Sequence, residues 1–144
     1  MTDVFSKEKR SELMSRIRSR NTKPEIKVRR WLHSMGYRFR LHRKDLPGTP
    51  DIILPKYQTV IFINGCFWHG HDCHLFKWPK TRPEFWRKKI TSNKKRDEFN
   101  LRQLTDLGWN YVVLWECQLK GREDFIKSQI LLEAVLGSPR VPSM

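Results

Sequence analysis

The sequence predicts an α/β fold, a mixed sheet of four to five strands flanked by helices. Three observations carry this. Residues 22–36 have the caps and apolar spacing of an amphipathic helix. Short runs at 37–41, 51–54, 59–63 and 109–115 read as strands. A long basic helix separates the fourth run from the first three, and such a crossover requires parallel as well as antiparallel neighbours.

The elements follow in order. Ser6 to about Arg20 is a basic helix whose apolar stripe is only Leu13, Met14 and Ile17. It has little core to bury, so residues 1–20 are expected to form an arm that lies on DNA. Thr22-Lys23-Pro24-Glu25 opens a second helix, with Thr22 as N-cap and Glu25 completing a capping box. Val28, Trp31, Leu32 and Met35 form its buried face, and Gly36 ends it. Tyr37–Leu41 alternates as a strand, Asp45 to Pro50 is a turn with two prolines, and Asp51–Leu54 and Thr59–Ile63 are short strands. Residues 64–80 are irregular. Thr81-Arg82-Pro83-Glu84 repeats the capping-box pattern and starts a long helix, with room for an interruption, ending at Gly108. Trp109–Trp115 is a β-branched strand and Arg122–Leu136 a final helix. Residues 21–137 are thus expected to form one domain, with a loose tail over 138–144.

The chain has 144 residues and a formal net charge of +14. The excess lies in two blocks. Residues 1–50 carry 14 basic and 5 acidic side chains, and residues 76–102 carry 10 and 3. Basic surface in blocks is the footprint of a polyanion, here nucleic acid. Lys88, Lys89, Lys94, Lys95 and Arg96 on the long helix are expected to meet phosphate, which sets affinity without reading sequence. No stretch approaches a membrane span of about 20 apolar residues, and the N-terminus has no signal-peptide pattern. A cytoplasmic, nucleoid-associated protein is expected.

Residues 66–74, Cys-Phe-Trp-His-Gly-His-Asp-Cys-His, hold two cysteines and three histidines, and Cys117 follows a strand. Three cysteines are too few for a secreted disulfide framework, and cysteines beside histidines point to metal. A structural zinc would take two loop thiolates, Cys117 and one imidazole from among His69, His71 and His74.

The Leu46-Pro47-Gly48-Thr49-Pro50-Asp51 turn and the run from Val60 to Cys73, with Gly65-Cys66-Phe67-Trp68-His69 at its centre, resemble the very short patch repair endonucleases. Thr81 to Trp86, Leu107-Gly108-Trp109 and Trp115-Glu116-Cys117 extend the similarity, which runs from about residue 5 to 125. The resemblance implies a restriction-endonuclease-like core. It implies a single-strand nick 5′ to the thymine of a T·G mismatch left by 5-methylcytosine deamination. It makes Asp51 the magnesium carboxylate, Ile63 a magnesium ligand through its carbonyl, His69 the catalytic histidine, and Glu25 a partner of water on that magnesium. It assigns zinc to Cys66, His71, Cys73 and Cys117. It makes Phe67, Trp68 and Trp86 wedges in the base stack, and Met14 joins the expected DNA contacts on the arm. Well-studied members of this family carry a threonine and a histidine where this chain has Ile63 and Asn64. Asn64 cannot exchange a proton but can donate a hydrogen bond in the same place.

The chemistry suits these residue types. Magnesium is held by one or two carboxylates plus substrate oxygens, an imidazole transfers protons near neutrality, and a mismatch lowers the cost of unstacking. Double-stranded DNA with a T·G mismatch is the expected substrate. Mismatch-repair proteins are candidate partners, and one active site per nick makes a monomer the expectation. Two other readings remain open at this level: a zinc-stabilised DNA-binding module without catalysis, and a restriction-type nuclease of the same fold.

Overall fold

The computed structural model describes residues 22–137. The arm expected over residues 1–20, with Met14, and the tail 138–144 lie outside the described residues.

Helix α1 spans Lys23–Ser34. The Thr22 hydroxyl accepts the Glu25 N–H at 3.4 Å, which satisfies one otherwise orphaned donor of the first turn. Val28 and Leu32 are fully buried and Trp31 packs against the core. Met35, expected on the same face, is 38% exposed at the C-cap, where Gly36 with φ of 89° turns the chain off the helix axis.

The strand expected over 37–41 is shorter: β1 is Arg40–Leu41. Tyr37 and Phe39 instead pack into the core, and the Tyr37 hydroxyl donates to the Gly137 carbonyl at 2.5 Å. Strands β2 (Ile52–Leu54), β3 (Thr59–Asn64) and β4 (Asn110–Trp115) follow the expected runs to within a residue at each end. The sheet order is β1-β2-β3-β4. The first two pairings are antiparallel and β3–β4 is parallel, so the sheet is mixed.

Between β3 and β4 runs α2, Pro83–Asp106, which is continuous. Its N-cap is Arg82 in a left-handed conformation with no side-chain cap, so the capping box read at Thr81 does not form. A short helix α3, Glu116–Leu119, follows β4 directly and was not anticipated. Helix α4 spans Arg122–Leu136, as expected.

Strand alternation divides the core between two faces. Ile52, Leu54, Ile61, Val112 and Leu114 join Val28 and Leu32 of α1 and Leu132 and Leu136 of α4. Ile53 and Val60 face the other way, toward Leu104 of α2 and Leu46. The result is helices on both sides of a buried sheet. Each fully buried Leu or Ile contributes about 1.5–3 kcal/mol through removal of apolar surface from water. Among the described residues, no helix is long and apolar enough to cross a membrane.

The loop from Gly65 to Arg82 lies along α2. Gly70 makes this approach feasible: it has φ of 61°, and a Cβ there would meet Ile90 Cγ2 and Lys94 Cε at 2.6 Å. Asn93, buried on α2, donates to the Trp68 carbonyl at 2.9 Å and fixes the loop from below.

Candidate active site and metal centre

Pro47 to Pro50 turns the chain sharply. Thr49 takes a left-handed φ of 47° and its N–H donates to the Leu46 carbonyl at 3.1 Å. This delivers Asp51 to the mouth of β2, where its N–H bonds the Ile61 carbonyl at 3.1 Å. The carboxylate folds back over β3, and its Oδ2 accepts the Ile63 N–H at 2.6 Å. Burial pushes the Asp51 carboxyl up to about 7. The Ile63 amide opposes this, the nearby Glu25 carboxylate adds to it, and Arg29 and His69 pull it down.

Glu25 projects from the first turn of α1 and is buried. Its Oε2 accepts Arg29 Nη2 at 2.8 Å and lies 3.6 Å from His42 Nε2. Glu25, His42 and Asp51 offer ligand atoms that all lie within 4.8 Å of one another, a grouping that could hold a metal ion.

On the facing wall, His69 Nδ1 lies 2.5 Å from Asp97 Oδ2 of α2. Asn64, at the end of β3, pairs in register with Trp115 and lines the same cleft. The cleft measures about 990 Å³ and brings together Glu25, Asp51, Ile63, Asn64, His69 and Asp97. Lys23 and Arg96 also line it, beside the carboxyl groups of Glu25, Asp51, Asp97 and Glu116.

Cys66, His71, Cys73 and Cys117 form a second cluster, with ligand atoms all within 4.8 Å of one another. All three cysteines are free. Of the three histidines left open by the sequence, His71 is the one that joins this cluster. Its ring stacks on Trp115 at 4.1 Å with the planes 8° apart, and its Nδ1 lies 3.5 Å from Cys117 Sγ. Zinc bonds of about 2.3 Å to sulfur and 2.0 Å to nitrogen put tetrahedral donors about 3.5 Å apart, so the spacing fits. Burial pushes the Cys66 thiol up to about 12 and lowers the pKa of His71. A neutral imidazole is the form that ligates, and a buried thiolate needs a cation beside it. The cluster ties the loop to the start of α3, where Cys117 N–H points at Cys66 Sγ at 3.4 Å.

Phe67 and Trp68 do not stand free. Phe67 meets Trp68 and Trp86 edge-on at 5.2 Å and 5.3 Å and stacks on Phe76 at 6.0 Å, and Trp68 lies 5.9 Å from Trp86. Phe67, Trp68 and Trp86 are half-buried, Phe67 and Trp68 line the cleft, and Trp86 is not part of the core. Lys88 and Lys95 are exposed on α2 and Lys89 is half-buried. The stem of Lys94 lies over Gly70, above the cysteine–histidine loop.

Asp97, Asn93 and His42 were not singled out by the sequence. For α2 a signal existed. Asn93, Asp97 and Asn100 sit at i, i+4 and i+7, a polar stripe without lysine that lines one wall of the cleft. For His42 no local pattern distinguishes it from its basic neighbours.

A family profile described as DNA mismatch endonuclease Vsr matches residues 2–75. The chain is 53% identical to the type II nicking enzyme V.XorIIP of Xanthomonas oryzae, over 83% of this chain and 88% of that protein. It is 48% identical to the type II nicking enzyme V.NmeAIP of Neisseria meningitidis, over 85% and 87% of the two chains. It is 46% identical to the DNA mismatch endonuclease Vsr of Escherichia coli, over 85% of this chain and 79% of that one.

Proposed function

The chain belongs to the family of the DNA mismatch endonuclease Vsr, and from that membership and the cleft we propose a magnesium-dependent endonuclease that nicks one DNA strand 5′ to the thymine of a T·G mismatch. The observation that carries this is the gathering of Asp51, Glu25 and the His69–Asp97 pair in one cleft beside a basic helix.

The residues present fit magnesium. Two carboxylates, Asp51 and Glu25, are hard oxygen donors, and the Ile63 carbonyl adds a third oxygen. When bound, the metal supplies charge neutralisation at the phosphate and at the leaving oxygen. Asp51 is fixed for this by the Ile63 N–H. Asp97 accepts a hydrogen bond at His69 Nδ1, which sets the ring orientation and leaves Nε2 to take a proton from the attacking water. Asn64 lines the cleft as a neutral hydrogen-bond donor to phosphate. Lys88, Lys89, Lys94 and Lys95 supply phosphate contacts, and Phe67, Trp68 and Trp86 supply the apolar edge that unstacks the mismatched step. Cys66, His71, Cys73 and Cys117 hold a structural zinc with no position left open, so the zinc pins the loop that carries His69. The mixed sheet with Asp51 at a strand mouth is read as a restriction-endonuclease-like core, and the protein as a monomer.

The reading is tested by nicking assays with magnesium on T·G, matched and other mismatched duplexes. Cleavage of all duplexes alike would keep the nuclease and discard the mismatch target. Tight T·G binding with no nick would support the catalytically silent module.

A further inference from the structure

Arg29 Nη2 donates to Glu25 Oε2 at 2.8 Å and lies 3.0 Å from His42 Nε2. A guanidinium has only donors. His42 Nε2 is therefore the acceptor, its ring proton sits on Nδ1, and the two hydrogens of one Arg29 nitrogen serve Glu25 and His42 together. We infer that Arg29 and His42 form a clamp that holds the Glu25 carboxylate beside Asp51, as positioning residues for the nicking reaction. The inference rests on the reading of this cleft as a metal-assisted nuclease.

Three features separate this group from an ordinary surface ion pair. The side chains of Arg29, Glu25 and His42 are 15%, 6% and 11% exposed, so the pair is shielded from water and salt. His42 takes a left-handed φ of 49° directly after β1, a conformation that costs a non-glycine residue energy and that aims its ring back at α1. Its N–H also meets the Asp51 carbonyl at 3.4 Å, so the same backbone bend serves both residues. The arrangement has a clear electrostatic purpose. Glu25 and Asp51 are two carboxylates with ligand atoms within 4.8 Å. Once Asp51 ionises, two anions that close repel in a partly buried site. A fixed guanidinium offsets the repulsion and stops Glu25 from turning away to solvent.

The test is single-turnover nicking by the zinc-loaded full chain with magnesium, across a range of DNA concentrations. His42→Ala is expected to lower the maximal rate by about 10–100-fold, the usual effect of losing a group that orients a metal ligand, with the half-saturating DNA concentration nearly unchanged. His42→Gln, whose amide oxygen accepts the same Arg29 N–H, is expected to regain most of the loss. In a Glu25→Ala background, His42→Ala is expected to add less than about twofold, because the clamp acts only through Glu25. A wild-type rate for His42→Ala, equal impairment of the Gln and Ala variants, or a full loss in the Glu25→Ala background would each overturn the clamp. If the unaltered protein nicks nothing, the functional reading fails, and nitrogen NMR then decides the clamp by itself. Separate Arg29 Nη–H resonances in the unaltered protein and in His42→Gln, averaged in His42→Ala, support it. Averaged resonances in the unaltered protein overturn it.

Discussion

His69 Nδ1 lies 2.5 Å from Asp97 Oδ2, across 28 positions of sequence. The bond joins the irregular loop after β3 to the middle of α2, and it points the imidazole into the cleft that holds Asp51. Asp97→Asn keeps the size of the side chain but replaces the carboxylate. The expected outcome is a rate lower by roughly 10–100-fold with DNA affinity unchanged. His69→Ala should cost more, about 100-fold or beyond, because it removes the group proposed as the proton acceptor. Gel-shift affinity and single-turnover nicking on the same preparations check both; an Asp97→Asn enzyme at full rate would remove Asp97 from the account.

Asp51 couples the site to stability. Burial raises its carboxyl from the ordinary 3.8 to about 7. The unfolded chain releases this proton near pH 4 and the folded chain near pH 7, so between those values the folded state binds more protons. The stability contributed by the neutral carboxyl is complete below about pH 4 and is lost as pH rises through about 7. Without divalent metal, the melting temperature should fall across that window. Asp51→Asn should flatten the fall and melt higher than the unaltered chain at pH 8, while abolishing nicking. Parallel melting curves for the two proteins would contradict the buried, neutral carboxyl.

Cys117→Ser removes one donor from the cluster that ties the loop to α3. The purified variant is expected to lose stoichiometric zinc and to melt lower by about 10 °C or more, since structural zinc contributes several kcal/mol to folding. Metal analysis and calorimetry check this. Full zinc content with unchanged melting would mean that the ligand set is wrong.

Trp68 packs against Phe67 and Trp86 at the side of the cleft. Trp68→Ala is expected to weaken binding to a mismatched duplex by about 1–3 kcal/mol of lost base stacking, with a smaller loss on matched DNA. Equal losses on the two duplexes in a titration would remove the wedge role.

What the sequence made legible follows a physical division. Elements whose signal is local came through. Thr22 caps α1 as its hydroxyl chemistry requires, and the β-branched runs of β3 and β4 form the parallel pair at one edge of the sheet. Misreadings arose where tertiary packing overrides pattern. The alternation from Tyr37 to Leu41 serves core packing for Tyr37 and Phe39 and pairing only for the last two residues. Thr81 has cap chemistry, but the left-handed Arg82 after it puts the helix start one residue later. In the site, the Asp51 turn and the dense cysteine–histidine run were readable because their residues are close in sequence. Asp97 and His42 were not, because each meets its partner only through the packing of α2 and the bend after β1.

The most direct test of the central claim is a magnesium-dependent nicking assay on an end-labelled duplex carrying one T·G mismatch, beside its matched T·A counterpart and an Asp51→Asn control. The account predicts a single cut on the thymine strand, 5′ to the mismatched thymine, absent from the matched duplex and from the control. A cut that persists with Asp51→Asn, or one placed equally on matched DNA, would contradict it.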